Sequence, residues 1–322
     1  MRVLPLDAAA YKRHLLHAED RVWLEKNCYI DIWIEVIHAV GCDPMAVLPV
    51  VFAIDFEGDQ WTFFKPPHEE LRDLYGIDVT ELNCWRTLLD HAKEHLAAGK
   101  LISSEADAWW LPDTSGTDYR RQHTKSTIVL NDLDADAHRL GYFHNAGYFA
   151  LDGEDYDKTF EPPVMPLFAE LVRLDRVVKR PTAELVARSR ELLARHAGRR
   201  PNDNPVTRFA ARFTADLPDI QQRGLAYYHV WAFATTRQLG AAAELAALYL
   251  RWLDGGGELR DGGAHAQAIE AYDRISTGAK SFILKAARAV NAKKALDAAP
   301  IFDDWARAWD QAMDVVTRAA PQ

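Results

Sequence analysis

Along residues 25–41 the apolar side chains return at Ile30, Trp33, Ile34, Ile37 and Val40. That i, i+3, i+4, i+7 spacing predicts a helix with one buried face. Asn27 supplies an N-cap oxygen, and Gly41 is the glycine that ends it. The pattern then changes. Residues 48–56 and 61–64 are β-branched and aromatic, and Glu57-Gly58-Asp59 between them is a turn signal, so a hairpin is expected. Helical spacing returns over 79–98, with Gly99 as the stop, and 101–111 reads as a strand. Two further strand-like runs, 123–130 and 140–151, flank the polar segment 131–139 and predict a long antiparallel hairpin turning near Asp134. Residues 1–20 read as a short helical lead-in.

Beyond Pro162-Pro163 the strand signals stop. Ala-, Leu- and Arg-rich stretches predict helices near 166–179, 182–196, 204–214, 219–238, 240–253, 264–275, 278–296 and 301–318, punctuated by Pro181, Pro201, Pro218 and Gly255-Gly256-Gly257. No fixed repeat period emerges, so an irregular helical domain is expected rather than a solenoid. The pattern therefore reads as an α+β domain over 1–165, a helix packed on an antiparallel sheet, followed by an all-α domain over 166–322.

Composition leaves that picture intact: 322 residues with 48% hydrophobic and 26% charged side chains are globular values. The net charge of −9 argues against a nucleic-acid partner. It divides unevenly, −14 over 1–165 and +5 over 166–322, so the second half is the one suited to an acidic partner. No apolar run approaches the length of a membrane span, and no signal-peptide pattern opens the chain. Three cysteines, Cys28, Cys42 and Cys84, cannot all pair, which suits a reducing cytoplasm.

Cys28 stands at the first helical position, where free amides and the helix dipole favour a thiolate, the nucleophilic form of cysteine. The competing reading is a small side chain packed at the head of a core helix. A nucleophilic thiol needs a base. His123 opens a strand directly after a polar loop, where its ring can face a cleft. With the hairpin turning at Asp134, the position opposite His123 is Asn145, and directly opposed residues share a face. Asn145 would then orient the imidazole. Asp132, nine residues along the strand from His123, is about 30 Å away and out of reach.

Asp113 and Tyr119 lie between the strand edge and His123 and are candidates for lining a substrate pocket, with a plain loop as the equal alternative. His91 and His95 have the i, i+4 spacing of a zinc pair but lack a third ligand, and a solvated helix face suits them better, as it does His14 and His17. The glycines at 255–257 and 262–263 flank no Lys-Ser/Thr and are read as loop. No metal and no resident cofactor are expected.

A helix-initiating Cys, a strand-initiating His and an Asn on the next strand resemble the layout of papain-like cysteine enzymes. The sequence is similar to an uncharacterised bacterial family carrying Asn-Cys-Tyr-x-Asp-x-Trp-Ile-Glu, Asp-x-Trp-Thr-Phe-Phe-Lys, Leu-Pro-Asp-Thr, Tyr-Arg-x-x-His and Tyr-Phe-His-Asn-x-Gly. These strings stand here at 27–35, 59–65, 111–114, 119–123 and 142–147. The N-terminal half in turn resembles the butirosin biosynthesis protein H group, which moves an acyl group from a carrier-protein thioester to an amine through a Cys/His pair.

That resemblance implies a papain-like N-terminal domain and a cysteine acyltransferase, with a phosphopantetheine-borne acyl or aminoacyl group as donor and a small amine as acceptor. A hydrolase of the same architecture and a catalytically silent carrier-binding scaffold are the alternatives. Papain-like peptidases have an oxyanion-stabilising Gln six residues before the Cys. Here that position is Val22, which leaves the Cys28 amide and a second donor such as Asn27. Arg237, Lys280 and Lys285 are the expected contacts of an acidic carrier protein.

Overall fold

The computed structural model describes residues 1–162 and 167–319. In chain order its elements are α1 (Cys28–Ala39), β1 (Phe56–Glu57), β2 (Gln60–Trp61), α2 (His68–Tyr75), β3 (Asp78–Glu81), α3 (Leu88–Ala97), β4 (Leu101–Asp107), β5 (Lys125–Asp134), β6 (Arg139–His144), β7 (Gly147–Asp152), α4 (Gly153–Thr159) and β8 (Ala169–Arg173). The helices α5 (Thr182–Ala197), α6 (Pro205–Arg223), α7 (Leu225–Ala234), α8 (Thr236–Asp254), α9 (Ala266–Asn291) and α10 (Ala299–Ala319) complete it. The fold is α+β, with an antiparallel sheet in the N-terminal half and helices in the C-terminal half.

Two compact units result. One comprises residues 1–18, 27–44 and 66–180, the other 19–26, 45–65 and 181–322. In the first, six antiparallel strands run in the order β3-β8-β4-β5-β6-β7. One face carries Ile102, Ile128, Leu130, Leu140 and Tyr142, covered by Leu88, Ala92 and Leu96 of α3 and by Tyr156 of α4. The other face carries Ser103, Phe143 and Glu170, and α1 lies over it. A sheet covered on both sides buries alternate residues of either parity, which is why 126–133 is buried without a polar stripe. Beyond the start of β4, the first residues of the chain take over its pairing: Val3 donates to the Asn131 carbonyl and Leu133 to that of Met1. Residues 1–20 thus form no helical lead-in beyond a 3-10 turn at Leu15–His17.

The boundary expected at 165 moves to 180, because the segment expected as the helix 166–179 contributes β8, inserted between β3 and β4. The expected helix over 79–98 divides into β3 and the shorter α3, and 140–151 folds back on itself as β6 and β7. Residues 48–56 are not a strand. Pro44–Ala53 forms 3-10 helix, and only a two-residue ladder, Phe56–Glu57 with Gln60–Trp61, remains of the hairpin. Pro49 within that stretch has no amide to give to a ladder.

The second unit is organised on α8, sixteen of whose residues are buried. Ring packing among Phe213, Phe282, Phe302 and Trp305 supplies much of the rest, with neighbouring centroids 5.0–5.6 Å apart. Helices expected at 264–275 and 278–296 are one continuous α9, since Gly278 lies inside the helix, its Cα facing Trp305.

Gly76 gives a stability test. It ends α2 at φ +72°, and a Cβ there would stand 2.0 Å from the Arg176 carbonyl oxygen. Gly76→Ala is expected to cost about 1–3 kcal/mol, read as a lowered urea midpoint at unchanged slope.

Candidate active site

Cys28 is the first residue of α1, as its capping chemistry dictates. The Asn27 Oδ1 accepts from the amides of Tyr29 at 3.0 Å and Ile30 at 2.9 Å. Helical spacing aligns Cys28 with Ile32, Val36 and Ala39. On one side of that row Tyr29 reaches Glu170 of β8, its hydroxyl 3.4 Å from Oε2. On the other, Glu35 accepts from Tyr11, whose ring packs on Phe143 of β6 and Tyr148 of β7. Of that row, Ile32 and Val36 are buried. Asn27→Ala should lower the midpoint of thermal unfolding, at about 1 kcal/mol for a lost cap.

The other two thiols are held up. Burial pushes the Cys84 thiol up, and the Glu81 carboxylate adds to it. The Cys42 thiol is raised by burial, with Asp43 adding and Lys179 opposing.

His123 precedes β5 and is fixed from two directions. Its Nδ1 is 2.6 Å from Asp107 Oδ2, and its ring stacks on Trp109 with centroids 4.6 Å apart. Alternation along β4 puts Asp107 on the same face as Glu105 and Ser103, the face over which α1 lies. Lys125, directly opposite Asp107, pairs with Glu105 at 3.1 Å. The His123 ring also borders an open cleft of about 950 Å³, walled by Trp85, Trp110, Lys158 and Phe160 among others; Cys84 lines it and Cys28 does not.

Asn145 is not the orienting partner of His123. The β5–β6 turn falls between Asp134 and Arg139, later than a turn centred on Asp134, and Val129 faces Phe143. Asn145 instead occupies the β6–β7 turn at φ +42°, a left-handed conformation that Asn tolerates. Asp107 takes the role expected of it. The signal was available: β4 pairs with the strand that His123 leads into, and Asp107 is the last residue of β4.

Asp113 and Tyr119 are engaged within the protein. Asp113 accepts from the Tyr142 hydroxyl at 2.5 Å and faces His144 Nδ1 at 2.6 Å, while Tyr119 donates to Asp155 at 2.9 Å. Arg237 and Lys280 both hold the segment 19–26: Arg237 donates to the Glu25 carbonyl and Lys280 to that of Val22. Lys285 is exposed on α9.

His14 and His17 are not on a solvated helix face. His17 is fully buried, with Nδ1 2.5 Å from Glu35 Oε1 and Nε2 3.0 Å from Asp31 Oδ1. Glu35 further accepts from Tyr11 and from the His14 amide. Asp31 and Glu35, one turn apart among Ile30, Ile32, Trp33, Ile34 and Val36, were the signal, because carboxylates on an otherwise apolar helix need a cationic partner. His91 is likewise buried, against the expectation of solvent. Among the described residues no group of three or more His, Cys, Asp or Glu is placed to hold a metal ion. No described helix is long and apolar enough to cross a membrane.

The N-terminal half thus combines an N-capped helix headed by a cysteine, an antiparallel sheet, and a histidine–aspartate pair at the end of β4. The chain belongs to the DUF1839 family: residues 12–180 match the DUF1839 N-terminal domain and residues 182–318 the DUF1839 C-terminal domain. The two matches meet where the sheet-bearing segment ends, at 180. No curated protein matches the sequence.

Proposed function

We propose that the protein is a cysteine-dependent acyltransferase in which Cys28 is the nucleophile and His123, oriented by Asp107, is the base. The observation that carries this reading is the 2.6 Å pairing of His123 Nδ1 with Asp107 on the face over which the Cys28 helix lies. With Nδ1–H directed at the carboxylate, Nε2 is the ring's acceptor. It takes the thiol proton as sulfur attacks the carbonyl of a thioester, and the imidazolium passes that proton to the departing donor sulfur, leaving an acyl-Cys28, a free donor thiol and a neutral His123. An amine then attacks, loses its proton through His123, and releases the amide and the thiol. Closing the distance between thiol and imidazole is part of substrate binding in this scheme, as apo sites often require.

The resemblance of the N-terminal half to the butirosin biosynthesis protein H group supports a carrier-borne acyl or aminoacyl donor and a small amine acceptor, and the three cysteines that cannot all pair suit a reducing cytoplasm. A hydrolase differs only in using water for the second step. Incubation with acyl thioesters followed by intact-mass analysis tests the proposal: the acyl mass should appear on the Cys28 peptide and discharge on adding an amine. A protein that stays unacylated, or that acylates equally well as Cys28→Ala, overturns it.

A further inference from the structure

We infer that Ser126, His144 and Asp113 form a second acyl-transfer centre, serine-based and independent of Cys28, that acts on carboxylic esters with a short apolar acyl group. His144 Nε2 is 2.6 Å from Ser126 Oγ, and its Nδ1 is 2.6 Å from Asp113 Oδ2. The hydroxyl, imidazole and carboxylate come from three separate places: β5, the end of β6, and the 3-10 turn Pro112–Thr114.

The surroundings decide the protonation pattern. Asp113 Oδ1 accepts from the Tyr142 hydroxyl, and burial holds that phenol far up, so it remains a donor. An ionised carboxylate offers only acceptors, so Oδ2 takes the Nδ1–H of His144. Nε2 is then the bare nitrogen and receives the Ser126 hydroxyl proton. This is the order of donors that makes a serine hydroxyl nucleophilic. His144 and Asp113 are 1% and 4% exposed at their side chains, which shields the pair from water.

Ser126 is buried and does not itself line the cleft, but its neighbour across the ladder does. Ser126 stands directly opposite Ala106 in the β4–β5 ladder, so the two side chains share a face with Cβ atoms about 5 Å apart. Ala106 lines the 950 Å³ cleft together with the apolar side chains of Leu88, Phe160 and Leu167. An acyl chain resting on that wall brings its carbonyl to the level of Ser126.

In the reaction, Oγ bonds to the carbonyl carbon as its proton passes to Nε2. The imidazolium then protonates the departing alkoxide, leaving acyl-Ser126 and free alcohol. Water next gives a proton to Nε2 and its oxygen to the acyl carbon, and Ser126 recovers its proton as the acid leaves.

The test is labelling of the full-length protein with an alkyl fluorophosphonate, which loses fluoride as it phosphonylates a serine. The expected result is one phosphonyl group per chain, mapped to the Ser126 peptide. Cys28→Ala should label at the wild-type rate, so the outcome is separate from the fate of the cysteine mechanism. Ser126→Ala should label at least about 100-fold more slowly, and His144→Gln likewise. Should either variant fail to fold, the map on the wild-type protein decides. Wild-type protein that takes no label at millimolar probe, or takes it elsewhere, overturns the inference.

Discussion

His17→Ala should lower the unfolding free energy by about 3–5 kcal/mol, the largest stability change expected of any single substitution here. The imidazole is wholly buried between Glu35 at 2.5 Å and Asp31 at 3.0 Å. With a carboxylate facing each ring nitrogen, the cluster is closed by an imidazolium donating to both. Removing it leaves two carboxylates buried one helical turn apart without their shared cation. His17→Gln should recover only part of the loss, since an amide has no charge to return. Urea denaturation at pH 7 reads both.

The same cluster sets an acid limit. Burial alone would push the Glu35 carboxyl up, but the hydrogen bond and charge of His17, the Tyr11 hydroxyl and the His14 amide together hold it below its ordinary 4.5. A depressed folded-state value adds stability above the unfolded value, and that contribution is lost as pH falls through the folded one. Stability should therefore decline below about pH 4.5, and a Glu35→Gln variant should show a shallower decline. An unchanged acid limb in that variant would show that other carboxylates set it.

The second large effect is catalytic. Cys28→Ala should reduce acyl transfer at least about 10³-fold, whereas Cys84→Ala and Cys42→Ala should leave it within a factor of a few. Asp107→Asn should lower turnover by about 10²–10⁴-fold, because the amide no longer selects the tautomer that keeps Nε2 bare. Its carboxylate is partly exposed, so the fold should survive and circular dichroism should be unchanged. A variant with normal turnover would assign Asp107 to structure alone.

Much of this was legible in the sequence, and the exceptions have physical causes. The start of α1 was readable to the residue because Asn27 and Gly41 carry local capping chemistry, which needs no knowledge of the rest of the chain. Helices of the second half were readable from composition and spacing, although Pro218, expected as a break, lies inside α6, and Gly278 lies inside a continuous α9. Strand 169–173 was not, since its apolar residues suit a helix equally and only the vacancy between β3 and β4 makes it a strand. The partner of His123 was misplaced because a turn displaced along a hairpin moves every pairing by twice the shift, and β5 carries an irregularity between Leu130 and Asp132. His17 was misread because the carboxylates that pair with it, Asp31 and Glu35, stand far along the chain in α1. Such long-range pairings are invisible to periodicity.

The central claim, that Cys28 works as a thiolate beside His123, is tested most directly by site-resolved alkylation. Iodoacetamide is applied between pH 5 and 9, and the three cysteine peptides are quantified in wild-type protein and in His123→Ala. Cys42 and Cys84, whose thiols are held up by burial, serve as internal references. The account predicts that at pH 6 Cys28 alkylates at least about 10-fold faster than either reference, and that the advantage shrinks in His123→Ala. Cys28 alkylating no faster than the other two, with the same profile in both proteins, would contradict it.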